Sequence, residues 1–270
     1  MRRVNPIGKS KIRKELELNL NDKVRNYWEK EPCGSGAPIV GELEPGTRIW
    51  FEKIENHRYQ VEPMIHAIAQ FTRHHGKKVL EVGVGAGTDH LQWARAGAEC
   101  FGVDLTEAAI ETTQTRFELY GFKSNLQRVD AEVLPFAEAT FDIVYSWGVI
   151  HHSEKPEAIV AEIKRVLKPG GQFIGMMYGR RSSLVFKYWV RYALLLGKPW
   201  QSFADVVWNR MESIGTKSYT VNELHKMFSG FQNTETIPTI TKYDTDHWPQ
   251  WLSKFFPDSW GWYIGVRAQK

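Results

Sequence analysis

Cysteine is scarce in this 270-residue chain, which has 2, Cys33 and Cys100. Two thiols make no disulfide framework, and reduced thiols in a cytoplasmic protein are the simplest reading. An excess of one charge is also lacking. The 35 Lys and Arg stand against 31 Asp and Glu, a formal net charge of +4, with no long Lys/Arg block. That leaves no electrostatic case for a nucleic-acid partner, although an acidic substrate or membrane surface stays open. Long apolar runs are missing as well. The most apolar stretch, Leu184 to Leu196, is broken by Lys187 and Arg191 and is too short and too charged to span a bilayer. Met1-Arg2-Arg3 begins a polar segment without an apolar core, so no secretory leader is expected. Nor does any His/Cys/Asp spacing suggest a metal site.

What is present divides into four zones without an internal repeat. Residues 1–75 read as an N-terminal helical extension, interrupted by the Pro- and Gly-rich loop Glu31-Pro32-Cys33-Gly34-Ser35-Gly36-Ala37-Pro38. Toward its end, Ile65, Ile68 and Phe71 share a helical face. Residues 76–178 alternate short β-rich runs with helical patterns. The runs are Lys78–Val82, Cys100–Asp104, Leu126–Asp130, Phe141–Ser146 and Gln172–Tyr178. The helices are Thr88–Gly97, Glu107–Tyr120 and Pro156–Leu167, the last stopped by Lys168-Pro169-Gly170-Gly171. Such alternation predicts an α/β fold, a doubly wound sheet covered on both faces. Residues 179–217, rich in aromatic and basic side chains, read as a helical insertion after strand 5. Residues 218–270 return to the sheet, with Thr220 capping a helix over Val221–Phe228 and strands near Thr234–Ile240 and Trp260–Val266.

The most informative stretch is Val79-Leu80-Glu81-Val82-Gly83-Val84-Gly85-Ala86-Gly87-Thr88. A buried strand runs into a loop with glycine at every second position, which then opens a helix. Glycine lets a ligand approach the backbone, and the helix N-terminus supplies unpaired N–H donors. Asp104 ends the next strand, where a ribose sits in a doubly wound sheet. The spacing is G-x-G-x-G rather than G-x-G-x-x-G, with Thr88 in the place of the third glycine. Glu81, just before the loop, would repel a pyrophosphate but suits a ligand with a cationic ammonium end, such as S-adenosylmethionine.

Six stretches stand in a familiar order: Leu80-Glu81-Val82-Gly83-Val84-Gly85-Ala86-Gly87; Gly102-Val103-Asp104-Leu105; Asp130-Ala131-Glu132 with Leu134-Pro135-Phe136; Phe141-Asp142-Ile143-Val144; Val149-Ile150-His151-His152; and Leu167-Lys168-Pro169-Gly170-Gly171. Through them the chain resembles the class I S-adenosylmethionine-dependent methyltransferases, in particular the small-molecule, type 11-like group, from Val79 to about Phe231. The resemblance implies a Rossmann-like sheet of seven strands with the last, near 260–268, antiparallel. It implies S-adenosylmethionine as cofactor, with Glu81, Gly83, Gly85 and Gly87 around the methionine portion. Asp104 would then meet the ribose, Leu105 the adenine face, and Asp130 with Ala131 the adenine edge. Ser146 and Trp147 would line the methionine end. The family usually has a small residue where Val84 stands, at a position of backbone contact alone.

For chemistry, His151 is the candidate base and Tyr178 a candidate substrate contact, each with packing as the alternative. Tyr27 and Trp28 with the Pro32-Cys33-Gly34 loop would form a lid, and Tyr27 could reach the methionine carboxylate. Residues 180–200 would roof a small, amphipathic acceptor, pack as core, or touch a membrane peripherally, with Arg180 and Arg181 at the mouth. Competing readings are a nicotinamide-dependent oxidoreductase and a non-catalytic S-adenosylmethionine-binding regulator. No Asn/Asp-Pro-Pro-aromatic motif for gripping a flipped base follows strand 4. The oligomeric state is not legible.

Overall fold

The computed structural model describes residues 18–270; the opening of the N-terminal extension, residues 1–17, lies outside the described residues. Seven strands form one sheet in the order β3-β2-β1-β4-β5-β7-β6. They are β1 (Lys78–Val82), β2 (Glu99–Asp104), β3 (Asn125–Arg128), β4 (Phe141–Trp147), β5 (Leu167–Tyr178), β6 (Gln232–Thr239) and β7 (Tyr263–Gln269). The first five pair in parallel, Val82 beside Val103 and Trp147 beside Met176. β7 runs antiparallel to both β5 and β6, so the expected Rossmann-like arrangement is present.

The strands form where apolar side chains run almost without interruption, as a sheet buried on both faces requires. Alternate residues feed two cores. Val79, Ile143, Tyr145 and Ile174 face one way, against Trp93 and Phe71. Leu80, Val144 and Phe173 face the other, against Ile159, Ile163 and Phe228. Full burial of each such side chain stabilises the fold by about 1.5–3 kcal/mol.

The covering helices follow local signals. In order they are α1 (Leu20–Trp28), α2 (Ala37–Val40), α3 (Arg48–Val61), α4 (Met64–Ala69), α5 (Thr88–Arg95), α6 (Glu107–Tyr120), α7 (Pro156–Val166), α8 (Ser183–Tyr192), α9 (Phe203–Arg210), α10 (Val221–Met227), α11 (Lys242–Thr245) and α12 (Gln250–Ser253). α7 has proline in its first turn and buries Ile159, Val160, Ile163 and Val166, one face of a 3.6-residue period. α10 starts on a reciprocal capping box, with Thr220 accepting from the Glu223 N–H and Glu223 from the Thr220 N–H. The helical face read through Ile65, Ile68 and Phe71 proves to span two elements, α4 and a 3₁₀ turn over Phe71–His74, because a left-handed Gln70 (φ 51°) stands between them.

The strand order reverses between β1 and β4, so the connections leave their carboxyl ends in opposite directions. A crevice opens at such a switch point. α8 and α9 follow β5 at this end of the sheet. Leu194, Leu195, Leu196 and Trp200 beyond α8 are exposed. No helix among the described residues is long and apolar enough to cross a membrane.

Candidate active site

A cavity of about 300 Å³ occupies the crevice, within the size range of small-molecule sites. Its floor is the glycine loop. Gly83 has φ 84°, and a Cβ there would stand 2.2 Å from Val149 Cγ2. At Gly85 a Cβ would meet nothing within 4 Å, and both glycines line the cavity. A ligand therefore has open access to the loop backbone at Gly85, while the Cβ side of Gly83 is filled by Val149. The loop is held from beneath. Buried Arg116 on α6 donates to the Ala86 carbonyl at 3.1 Å, to Thr88 Oγ1 at 2.7 Å and to Glu55 at 2.8 Å. Gly87 lies outside the lining. Its Cβ position is filled by Thr113, 2.9 Å away, so this glycine serves loop–helix packing rather than ligand approach.

One end of the cavity lies over β2 and β3. Asp104 Oδ2 accepts from the Gly85 N–H at 3.1 Å, and Oδ1 accepts from the Thr106 N–H and hydroxyl. Leu105, Asp130 and Ala131 line the same end. α1 closes over it, with Asn21 donating to Asp130 at 2.9 Å and to Glu132 at 2.7 Å. Asn21, Val24, Trp28, Pro32, Cys33 and Gly34 face the cavity, as a lid does. Tyr27 does not. It is exposed, and Trp28 holds the inward position instead.

The middle is charged. Asp89, on the first turn of α5, is buried and accepts from Arg58 Nε at 2.9 Å and from a second Arg58 nitrogen at 2.6 Å. It also accepts from the Tyr59 hydroxyl at 3.0 Å and the Tyr145 hydroxyl at 2.8 Å. Burial alone would raise its pKa, but Arg58 and these donors hold the carboxyl below the usual range.

Glu81 is in the opposite condition. Burial, with the Asp89 charge nearby, pushes its pKa well up. Its neighbour His90 Nδ1 is 3.1 Å away, and burial presses His90 down to about 3. Ser124 Oγ donates to the Cys100 carbonyl and so accepts the His90 Nε2 proton. His90 Nδ1 then holds a lone pair, and Glu81 donates to it as a neutral acid.

The other end lies over β4 and β5. Glu62 is buried, accepting from Trp147 Nε1 at 2.7 Å and from the Tyr263 hydroxyl at 3.3 Å. Tyr178 lines the cavity, and its hydroxyl lies 3.1 and 3.0 Å from the two oxygens of Glu212, to which it donates. Ser146 does not reach the space. Its hydroxyl donates to the Val82 carbonyl at 3.0 Å and ties β4 to β1.

His151 is placed behind the wall. It is fully buried, its ring 3.7 Å from that of Tyr178, and neither nitrogen has a partner. Burial and neighbouring His152 and Lys217 push its pKa well below the ordinary value. It is outside the lining, and His152 takes the inward position. In the short 3₁₀ turn Ile150–His152, successive side chains diverge by about 120°.

Residues 180–200 form no roof. From the insertion only Glu212 lines the cavity, joined by Tyr243 from α11. Arg180 is tied to Glu223 and the Ser218 carbonyl, and neither it nor Arg181 meets the cavity. Sequence reasoning missed Arg58, Glu62, Asp89, His152 and Glu212. Among these only Asp89 carried a local signal, its place on the first turn after the glycine loop.

Residues 80–175 match the family model described as methyltransferase domain. The chain is 37% identical over 113 residues to phthiotriol/phenolphthiotriol dimycocerosates methyltransferase 1 of Mycobacterium ulcerans, covering 41% of each chain. It is 26% identical over 193 residues to an uncharacterized protein of Mycobacterium tuberculosis, covering 69% of this chain and 65% of that one. These matches span 41% and 65% of the relatives' own lengths. Among solved structures, magnesium protoporphyrin IX methyltransferase of Synechocystis PCC 6803 with bound SAH superposes with a TM-score of 0.59. The identity is 15%, with 92% of this chain and 98% of that one covered. The fold is that of the class I S-adenosylmethionine-dependent methyltransferases.

Proposed function

We propose that this chain, whose residues 80–175 are a methyltransferase domain, transfers the methyl group of S-adenosylmethionine to a small molecule. The observation that carries the reading is one continuous cavity. It joins the backbone of Gly83, the open Gly85 and the carboxylates of Asp104 and Asp130 to the region walled by Trp147 and Tyr178. Asp104 accepts from ribose hydroxyls, Leu105 packs on the adenine, and Asp130 with Ala131 meets the adenine edge. Among the described residues Arg58 is the only guanidinium on the lining, and it faces the methionine carboxylate, while Glu81 takes the ammonium group. When bound, the cofactor supplies an electrophilic methyl on a sulfonium, so the protein's own task is position and exclusion of water. The G-x-G-x-G spacing, with Thr88 in the place of a third glycine, favours this reading over a nicotinamide dinucleotide. A purely regulatory binder would leave the space past Trp147 without a use.

Titration calorimetry tests this. S-adenosylhomocysteine binds and NAD does not, and Asp104→Ala weakens the binding by about 1–3 kcal/mol in a protein that still folds. Tight NAD binding without a response to S-adenosylhomocysteine would overturn the reading.

The state of Glu81 adds a proton to that equilibrium. Its pKa is raised in the free protein, and a bound ammonium favours the ionised form. Binding therefore releases a proton. Affinity rises as pH climbs toward the folded-state pKa of Glu81 and levels above it. The measurement is binding enthalpy in buffers of different ionisation enthalpy. Identical enthalpies in all buffers would show that Glu81 keeps its proton.

A further inference from the structure

We infer that the acceptor is a protonated amine on an aromatic or similarly flat frame, and that His152 Nε2 removes its proton. The inference rests on the methyltransferase reading and deepens it.

The strand order assigns the ends of the cavity. The nucleoside belongs over β2 and β3, and the methionine belongs over the loop after β1. The acceptor space is what remains over β4 and β5. Arg58 is engaged by Asp89 and stands 3.9 Å from Glu62, and among the described residues no other Arg or Lys lines the cavity. At the acceptor end the carboxylate of Glu212 thus faces no Arg or Lys of the described lining. The rings of Trp147, Tyr178 and Tyr263 stand around Glu62 and Glu212. Tyr178 and Tyr263 lie with centroids 5.8 Å apart and planes 20° apart, and Trp147 meets Tyr263 edge-on at 6.4 Å. Carboxylates set among aromatic faces favour a cation with apolar flanks and repel a carboxylate or phosphate.

The second observation is His152. It is 4% exposed, and Nε2 has no hydrogen-bond partner. The other nitrogen, Nδ1, lies 3.0 Å from Ser213 Oγ and 3.1 Å from Thr216 Oγ1. Thr216 spends its own proton on the Ser213 carbonyl at 2.7 Å, so Oγ1 can only accept from Nδ1. In the tautomer with the proton on Nδ1, which both hydroxyl oxygens can accept, Nε2 carries a lone pair on the cavity wall. Glu212 Oε2 is 3.3 Å from Nε2. That contact becomes an ion pair once Nε2 is protonated, and Tyr178 holds the carboxylate in place from the other side.

These groups account for the steps that an amine needs. The ammonium rests between Glu62 and Glu212 and gives one proton to His152 Nε2. The freed nitrogen lone pair forms the N–CH3 bond while the carbon–sulfur bonding pair returns to sulfur, which loses its positive charge. The methylated product leaves as an ammonium ion, and the proton on His152 passes to solvent.

The test uses the full chain loaded with S-adenosylhomocysteine, and its ligands are 2-phenylethylamine, 3-phenylpropanoate and 4-ethylphenol. Calorimetry should show binding of the amine alone. Glu212→Gln should weaken the amine about tenfold or more while the affinity for S-adenosylhomocysteine stays the same. With labelled S-adenosylmethionine, amines of this type should gain the methyl group. His152→Gln should cut kcat by about 10²–10⁴-fold with a much smaller change in KM. The inference is overturned if the acid or the phenol binds in place of the amine, or if Glu212→Gln leaves amine affinity unchanged. It also falls if His152→Gln moves KM alone. Failure of S-adenosylhomocysteine itself to bind would instead bring down the methyltransferase reading beneath it.

Discussion

Replacing Asp89 by alanine is expected to lower the unfolding free energy by about 3–5 kcal/mol, the usual cost of breaking a buried ion pair from one side. The change strands the Arg58 guanidinium, which loses both of its hydrogen bonds to the carboxylate. It also leaves the Tyr59 and Tyr145 hydroxyls without their acceptor. Against a total stability of roughly 5–15 kcal/mol that is a large share, and a fall in Tm on the order of 10 °C follows for a chain of this size. Asp89→Ala combined with Arg58→Met should recover part of the loss, because the guanidinium is no longer stranded, although Glu62 then loses the cation 3.9 Å away. A denaturant melt showing less than about 1 kcal/mol for the single change would mean that water reaches the pair.

The second large effect belongs to the glycine loop. Gly83→Ala should abolish measurable cofactor-analogue binding or weaken it at least about 100-fold, which is roughly 2.7 kcal/mol. Two costs combine. The backbone at φ 84° is strained for any residue with a Cβ, at about 1–2 kcal/mol. The new methyl also meets Val149, whose nearest carbon stands 2.2 Å from the Cβ position. Valine is stiff at χ1, so the contact is relieved only by moving the loop or the β4 end. Adding Val149→Ala should restore some affinity by removing the collision, but not all of it, since the dihedral strain persists. Unaltered S-adenosylhomocysteine affinity in Gly83→Ala would remove the loop from the site.

The parts of this molecule that were legible in its sequence are those with local causes. β1, β2 and β4 are short apolar runs punctuated by glycine, and α6 covers Glu107–Tyr120 as its composition suggested. Thr220 caps α10 because a hydroxyl followed three residues later by glutamate satisfies two N–H groups at once. That Gly83, Gly85, Asp104, Leu105, Asp130 and Ala131 share one cavity was readable for the same reason: they follow strand ends directly, and topology brings strand ends together.

The acceptor end was not readable, because its partners are distant in sequence. Arg58 and Asp89 are 31 residues apart, Tyr178 and Glu212 are 34, and Glu62 and Trp147 are 85. Nothing in their residue type separates Glu62, buried just past the end of α3, from Glu52 within α3, which is exposed. His151 and His152 are adjacent, and only the sense of a single tight turn decides which one faces the cavity. The insertion misled for a related reason. An apolar, basic segment at the right end of the sheet suggested a roof, yet α8 buries Leu184 and Val185, and Leu194, Leu195 and Leu196 just beyond it lie in solvent.

The strap formed by α1 governs time more than affinity. Asn21 donates to Asp130 and Glu132 and accepts from the Glu154 N–H, while Glu29 accepts from the N–H groups of Glu107 and Ala108 at the start of α6. Each is a surface contact that adds little to equilibrium stability. Together they bridge the rim of the nucleoside end from both sides, so exchange of a ligand beneath waits for several small bonds to open at once. Asp130 is also the residue assigned to the adenine edge. Under that proposed assignment, arrival of the base would compete with Asn21 for the carboxylate, so the molecule that needs the gate shut would also loosen one of its latches. Residence time and turnover would then be linked through a single side chain.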